Sequence, residues 1–229
     1  MSKKLIIFGS EGALGSGATK QLLEKGYDYY YLVNRSFDQF SKSDGIKTIV
    51  ADDLSVEANM KAVFSSIKVE KDDEIFLFST IGGFAGGTAV EETGYDTWRK
   101  MLSLNLDISF LIAKYFIPLA KTVKGSSLLF TSALASLEPK EKSAAYSVSK
   151  NALNFLVKNL ALEGKKYNLS TNAILPFVID TPENREWVED TSILVSPSSV
   201  GATVHTIFEN YKTFSGNLLK LPGTIGGVK

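Results

Sequence analysis

The sequence predicts one α/β domain: a doubly wound parallel sheet of about seven strands with helices on both faces. Three observations point there. Short apolar runs alternate with helical patterns along all 229 residues. Most of those runs are unbroken rather than alternating, as strands covered on both faces require. No linker, internal repeat or low-complexity segment divides the chain, and its length suits a single α/β unit.

Taken in order, the strand candidates are 5–8, 29–33, 48–50, 75–78, 128–130, 171–175 and 217–221. The helices between them fall near 12–25, 56–67, 97–123, 144–163 and 199–209. Lys25 followed by Gly26 is a helix stop, a cation in the last turn with glycine beyond it. Pro118 is expected to bend the third helix. The β-α-β-α rhythm implies right-handed crossovers between parallel strands.

Composition narrows the functions. Apolar residues make up 44% and charged residues 22%, enough apolar chain for a sizeable core. The 25 basic residues are balanced by 25 acidic ones, so bulk charge offers nothing to nucleic acid or an anionic membrane. With no Cys, disulfides, thiolate metal sites and a cysteine nucleophile are excluded. The single His205 excludes a His-rich metal centre, and no metal is expected. The apolar run after Met1 is too short for a signal peptide, and no stretch is expected to approach the ~20 apolar residues of a membrane span. The expected setting is the reducing cytoplasm.

The first strand runs into Gly9-Ser10-Glu11-Gly12-Ala13-Leu14-Gly15, which opens a helix. Glycines at this spacing allow a tight turn and close approach of a diphosphate, while the helix N-terminus supplies N–H donors. A P-loop is excluded, because Ala18 stands after Gly17 where Lys is required. The end of the second strand should meet the adenosine ribose. An acidic residue there would bind the 2′-hydroxyl, whereas this chain has Asn34, Arg35 and Ser36. Arg35 and Ser36 can hold a phosphate, which favours NADP(H), with NAD(H) the alternative. Glu11 works against that preference.

Tyr146 and Lys150 lie one helical turn apart, a spacing expected by chance in a chain with nine Tyr. Context makes it specific: Ser132 leaves a strand ahead of the pair, and Asn105 lies earlier on a long helix. Together these residues resemble the short-chain dehydrogenase/reductase family and its Asn-Ser-Tyr-Lys catalytic group. The resemblance covers almost the whole chain and implies a Rossmann-type domain. It also implies that Tyr146 is the general acid/base and that Lys150 lowers the phenol pKa and binds the nicotinamide ribose. Ser132 would orient the substrate carbonyl, with Ser136 as fallback because the Ser132–Tyr146 gap is one residue long. Asn105 would hold a water relay to Lys150. Asp53 and Leu54 would flank the adenine, while Ile81, Gly82, Pro176, Val178 and Thr181 would line the nicotinamide end. The substrate would be a small carbonyl or alcohol.

Three features depart from the usual family pattern. The run Gly82-Gly83-Phe84-Ala85-Gly86-Gly87 is similar to the loop of the dihydropteridine reductase branch, making a pteridine-type reductase an alternative. Phe177 follows Pro176 where the family has glycine, so a changed turn is expected. The substrate lid, about 182–198, is short and carries Trp187, suiting a small or flat substrate. Two apolar sets, Leu106, Phe110, Ala113 and Ile117 and then Ala152, Phe155, Leu156 and Asn159, imply by resemblance a homotetramer, or failing that a homodimer. A dinucleotide sensor without chemistry would show a broken Tyr/Lys pair or a lost glycine loop, and neither occurs.

Overall fold

In the computed structural model, which describes residues 1–40 and 44–223, seven strands form one parallel sheet in the order β3-β2-β1-β4-β5-β6-β7. They are β1 (Lys3–Phe8), β2 (Tyr29–Asn34), β3 (Ile46–Val50), β4 (Glu74–Ser79), β5 (Gly125–Thr131), β6 (Leu169–Pro176) and β7 (Leu218–Leu221). Each predicted run sits inside one of these strands, apart from Asn217, which stands just ahead of β7. The strands reach beyond the apolar runs because backbone pairing continues through polar residues such as Ser126 and Ser170 at the strand starts.

Alternate residues of a strand face opposite layers, which explains the unbroken apolar runs. Ile6 and Phe8 join the core shared with α2 (Glu57–Ser65), α4 (Ile108–Ala120) and α5 (Ala144–Gly164). Leu5 and Ile7 join the opposite core, with α1 (Gly15–Leu23) and α7 (Pro197–Glu209). The single α/β domain with helices on both faces is as the sequence predicts.

The long third helix is where the structure departs most. It is α3 (Tyr95–Leu102), a π-helical turn at Ser103–Asp107, then α4. The helix runs through Pro118 and ends at Ala120, so the irregularity lies well ahead of the proline. By length and composition Tyr95–Ala120 is long and apolar enough to cross a membrane, contrary to the expectation that no stretch approaches a span. In the fold one side of it, including Met101, Ile112 and Phe116, is buried.

Because all strands run the same way, their carboxyl ends share one edge. The order reverses between β1 and β4, and chain segments leaving these two strands part to opposite sides there, opening a crevice.

Candidate active site

The segment after β1 is built for an anion. Gly9 has φ +76°, and a Cβ on Gly15 would sit 1.8 Å from the Gly9 carbonyl oxygen, so both positions require glycine. The first turn of α1 has no side-chain cap, and the N–H groups of Ala13 and Leu14 find no acceptor among the described residues. The Ser10 hydroxyl is buried without a partner among the described residues. This uncapped turn and tight cradle fit the diphosphate of a dinucleotide.

Past the end of β2, where the sequence predicts the adenosine end of a cofactor, Arg35 and Ser36 are exposed, while the Asn34 side chain donates to the Ser36 carbonyl at 2.8 Å. Asp53 accepts from the backbone and hydroxyl of Ser55, and these bonds together with the nearby Arg35 charge lower its pKa. Leu54 is buried in the core beside Val33, so of the pair expected to flank adenine only Asp53 reaches the surface. Glu11 turns onto the loop after β2 and accepts backbone hydrogen bonds there.

At the centre, Lys150 is 4% exposed and its Nζ donates to the Thr131 carbonyl at the end of β5, at 2.8 Å. Asn105, on the π-helical turn, is fully buried. Its Oδ1 accepts from Gly83 N at 2.9 Å, and its Nδ2 donates to Gly83 O and Ser149 Oγ, each at 3.0 Å. The side chain thus pins the glycine-rich loop. Lys150 and Asn105 converge under Gly82, where a Cβ would lie 2.7 Å from Nζ and 2.8 Å from Oδ1.

Tyr146 lies one turn before Lys150, its ring edge-on to Phe84 with centroids 5.0 Å apart. Burial pushes its pKa up to about 12, and burial pushes Lys150 down to about 8. The sequence reading had the ammonium lowering the phenol. The shift at each group follows from burial, and the Lys150 ammonium donates to the Thr131 carbonyl.

Ser132 meets the main chain of Lys150. It is 3% exposed, its hydroxyl donates to the Lys150 backbone carbonyl at 3.3 Å, and no hydrogen bond links it to Tyr146. Ser136 is no substitute, because its hydroxyl donates to Ala133 O at 2.5 Å and accepts from Asn154. The long spacing to Tyr146 was the sequence's signal of this. Phe84, which sequence reading treated only as part of a glycine-rich run, emerges as a wall of the site at 72% exposed.

At the nicotinamide side, β6 continues through Pro176, and Phe177 N–H donates to Leu221 O at 2.9 Å, extending the ladder to β7. Phe177 has no positive φ, so the expected change of turn takes the form of a longer strand. Ile179 pairs with Val195 and Val178 O accepts from Val195 N, which ties the lid down. Thr181 caps the short α6 (Pro182–Arg185), accepting from Asn184 N, and Trp187 stands 65% exposed on the lid.

Three comparisons bear on this site. A family model described as short chain dehydrogenase matches residues 3–192. Dihydropteridine reductase of Dictyostelium discoideum is 27% identical over 194 residues, 84% of this chain and 80% of that protein. Dehydrogenase/reductase SDR family member 4 of Bos taurus is 26% identical over 200 residues, 82% of this chain and 70% of that protein. Among solved structures, ElxO with NADP bound superposes with a TM-score of 0.83 at 20% identity, covering 96% of this chain and 97% of that one.

Proposed function

The chain belongs to the short-chain dehydrogenase family, an NAD(P)-dependent oxidoreductase, and on that premise we propose that it is an NADP(H)-dependent reductase of a small carbonyl compound, with Tyr146 as proton donor. The observation that carries this reading is the buried Lys150 held at the end of β5, one helical turn after Tyr146, in a chain whose first strand runs into an uncapped glycine cradle. The bound nicotinamide would supply the hydride, and the protein supplies position and field.

A phenol pushed up to about 12 stays protonated at neutral pH. That is the form needed to give a proton to a carbonyl oxygen. Lys150, brought down to about 8, can return that proton near neutrality. Gly83, pinned by Asn105, keeps the loop over both groups. Arg35 and Ser36, exposed past β2, support NADP(H) over NAD(H).

Tyr146→Phe tests the role: turnover falls ~100- to 10,000-fold while nucleotide affinity stays within threefold. Turnover within tenfold of native removes Tyr146 from the chemistry.

A second reading has a specific observation behind it. The exposed Phe84 ring beside Tyr146, with no serine hydroxyl bonded to the phenol, suits a flat heterocycle. The named relative from Dictyostelium discoideum points the same way. NADPH oxidation with a quinonoid dihydropterin but not with diketones selects this reading, and the reverse pattern discards it.

We also propose a homo-oligomer, tetramer before dimer, joined across α4 and α5. Phe110 is 50% and Phe155 66% exposed on these helices, and Leu162 follows at 63%. Leu106, Ile117, Ala152 and Leu156 are half-buried around them, while Ala113 is buried within the chain. Light scattering of Phe155→Asp, expected to give a smaller species than native, tests the interface.

A further inference from the structure

A carboxylate beside a phosphate site calls for an explanation, and the surroundings of Glu11 provide one. Its Oε2 accepts from Asp38 N at 2.8 Å, and its Oε1 accepts from Gln39 N at 2.9 Å and Phe40 N at 2.7 Å. Three successive backbone donors on one carboxylate form an anion nest filled from within the chain. Burial works against ionisation, but these bonds outweigh it and hold the carboxyl below its ordinary range. Ser16 adds a second tie, its hydroxyl donating to Gln39 Oε1 at 2.6 Å. Phe40, 8% exposed, then enters the core with Leu14 and Leu32.

The loop leaving β2 is therefore closed onto the glycine loop by Glu11. Only Arg35, Ser36 and Phe37 separate the strand end at Asn34 from the first gripped amide, so their path is short. The nest's donors are already taken, which leaves Arg35 and Ser36 as the loop's groups for a cofactor phosphate.

We propose that Glu11 is a positioning residue for the adenosine end: by gripping residues 38–40 it presents Arg35 and Ser36 to the ribose 2′ position. It thereby sets the ratio of NADPH to NADH affinity without touching either nucleotide. The inference rests on the cofactor reading above, and its test separates the two.

The full chain is titrated with NADPH and with NADH, following tryptophan fluorescence, as native protein, Glu11→Gln and Glu11→Asp. Glutamine keeps the size but loses the charge and turns an NH2 toward a donor. We expect NADPH to weaken ~10-fold in E11Q and NADH less than threefold, the difference being the hydrogen bonds only a 2′-phosphate makes. Aspartate, too short to span three amides, falls between the two. Hydrogen exchange at residues 36–40 accelerates in E11Q. Equal weakening of both nucleotides, which a purely structural role would give, overturns the proposal. So does tighter NADPH binding, which simple charge repulsion would give, and so does a native chain that binds neither. Native preference for NADH would sink the cofactor reading alone, since the shift in ratio between native and E11Q still judges Glu11.

Discussion

Replacing Gly82 with alanine should damage chemistry far more than folding. The added Cβ would lie 2.7 Å from Lys150 Nζ and 2.8 Å from Asn105 Oδ1. Neither neighbour yields easily. Lys150 is 4% exposed and bonded to Thr131 O, and Asn105 is fully buried with its amide bonded to Gly83 on both sides. Reaching ordinary contact takes roughly 0.7 Å of movement by the loop or the ammonium. Overpacking of this kind costs ~1–3 kcal/mol. At about 2–4 °C per kcal/mol for a chain of this size, Tm falls by about 2–12 °C. Misplacing a catalytic group by ~1 Å costs ~100-fold in rate. Circular dichroism melts give the first number, and NADPH oxidation with a carbonyl compound the native protein reduces gives the second. Gly94→Ala is the control. Gly94 has φ −58°, and its added Cβ would meet only Thr97 Oγ1 at 4.0 Å. It should keep native turnover and melt within about 3 °C of native. Turnover of Gly82→Ala within threefold of native would refute the claim that this glycine exists to let the two side chains converge.

Further outcomes follow from the same geometry. Lys150→Met should abolish turnover yet raise Tm by a few degrees, because an ammonium held at about 8 against 10.5 costs folding energy at neutral pH. The sign follows from the lowered pKa: the native chain gains stability as pH rises from 8 to 10, and the variant lacks that slope. A Lys150→Met chain less stable than native at pH 7 would contradict this. Asp73, 3% exposed, pairs with Lys4 at 2.7 Å. Burial opposes its ionisation, but bonds from Lys4, Ser2 and Glu70 prevail and bring it to about 2 from 3.8. Its contribution, about 2 kcal/mol, is whole above pH 5 and drains away as pH drops from 4 towards 2. Asp73→Asn should flatten that part of the acid melt and, by stranding Lys4, cost ~3–5 kcal/mol at pH 7; an unchanged acid slope would refute the assignment.

How much of this could be read in the chain depended on the range of the interaction. Strands such as Leu5 to Phe8 and the glycine loop are local patterns, and a local pattern is visible in sequence. The Tyr146–Lys150 pair was visible because four residues make one helical turn. Ser132 was harder. Its residue type and neighbourhood were right, but which way a hydroxyl points at a strand end depends on the helix carbonyl it meets, here that of Lys150. From sequence Glu11 reads only as a loop carboxylate that disfavours a 2′-phosphate, since its partners at Asp38, Gln39 and Phe40 are backbone amides, which leave no mark in residue identity. The balance of burial against charge at Tyr146 likewise needs the packed site, because spacing alone says nothing about water.

The wide turn at Ser103–Asp107 has a consequence for how this chain can change. Such a turn is equivalent to one surplus residue wound into a regular helix. Each residue advances the helical phase by about 100°, so α3 and α4 follow one another with their side-chain wheels out of step. Losing a single codon within that stretch would bring the wheels into step and rotate Asn105 off the loop it secures, with every flanking residue type preserved. A length change of one is then a heritable alteration that could reset the geometry over Lys150 while leaving every remaining residue type as it is.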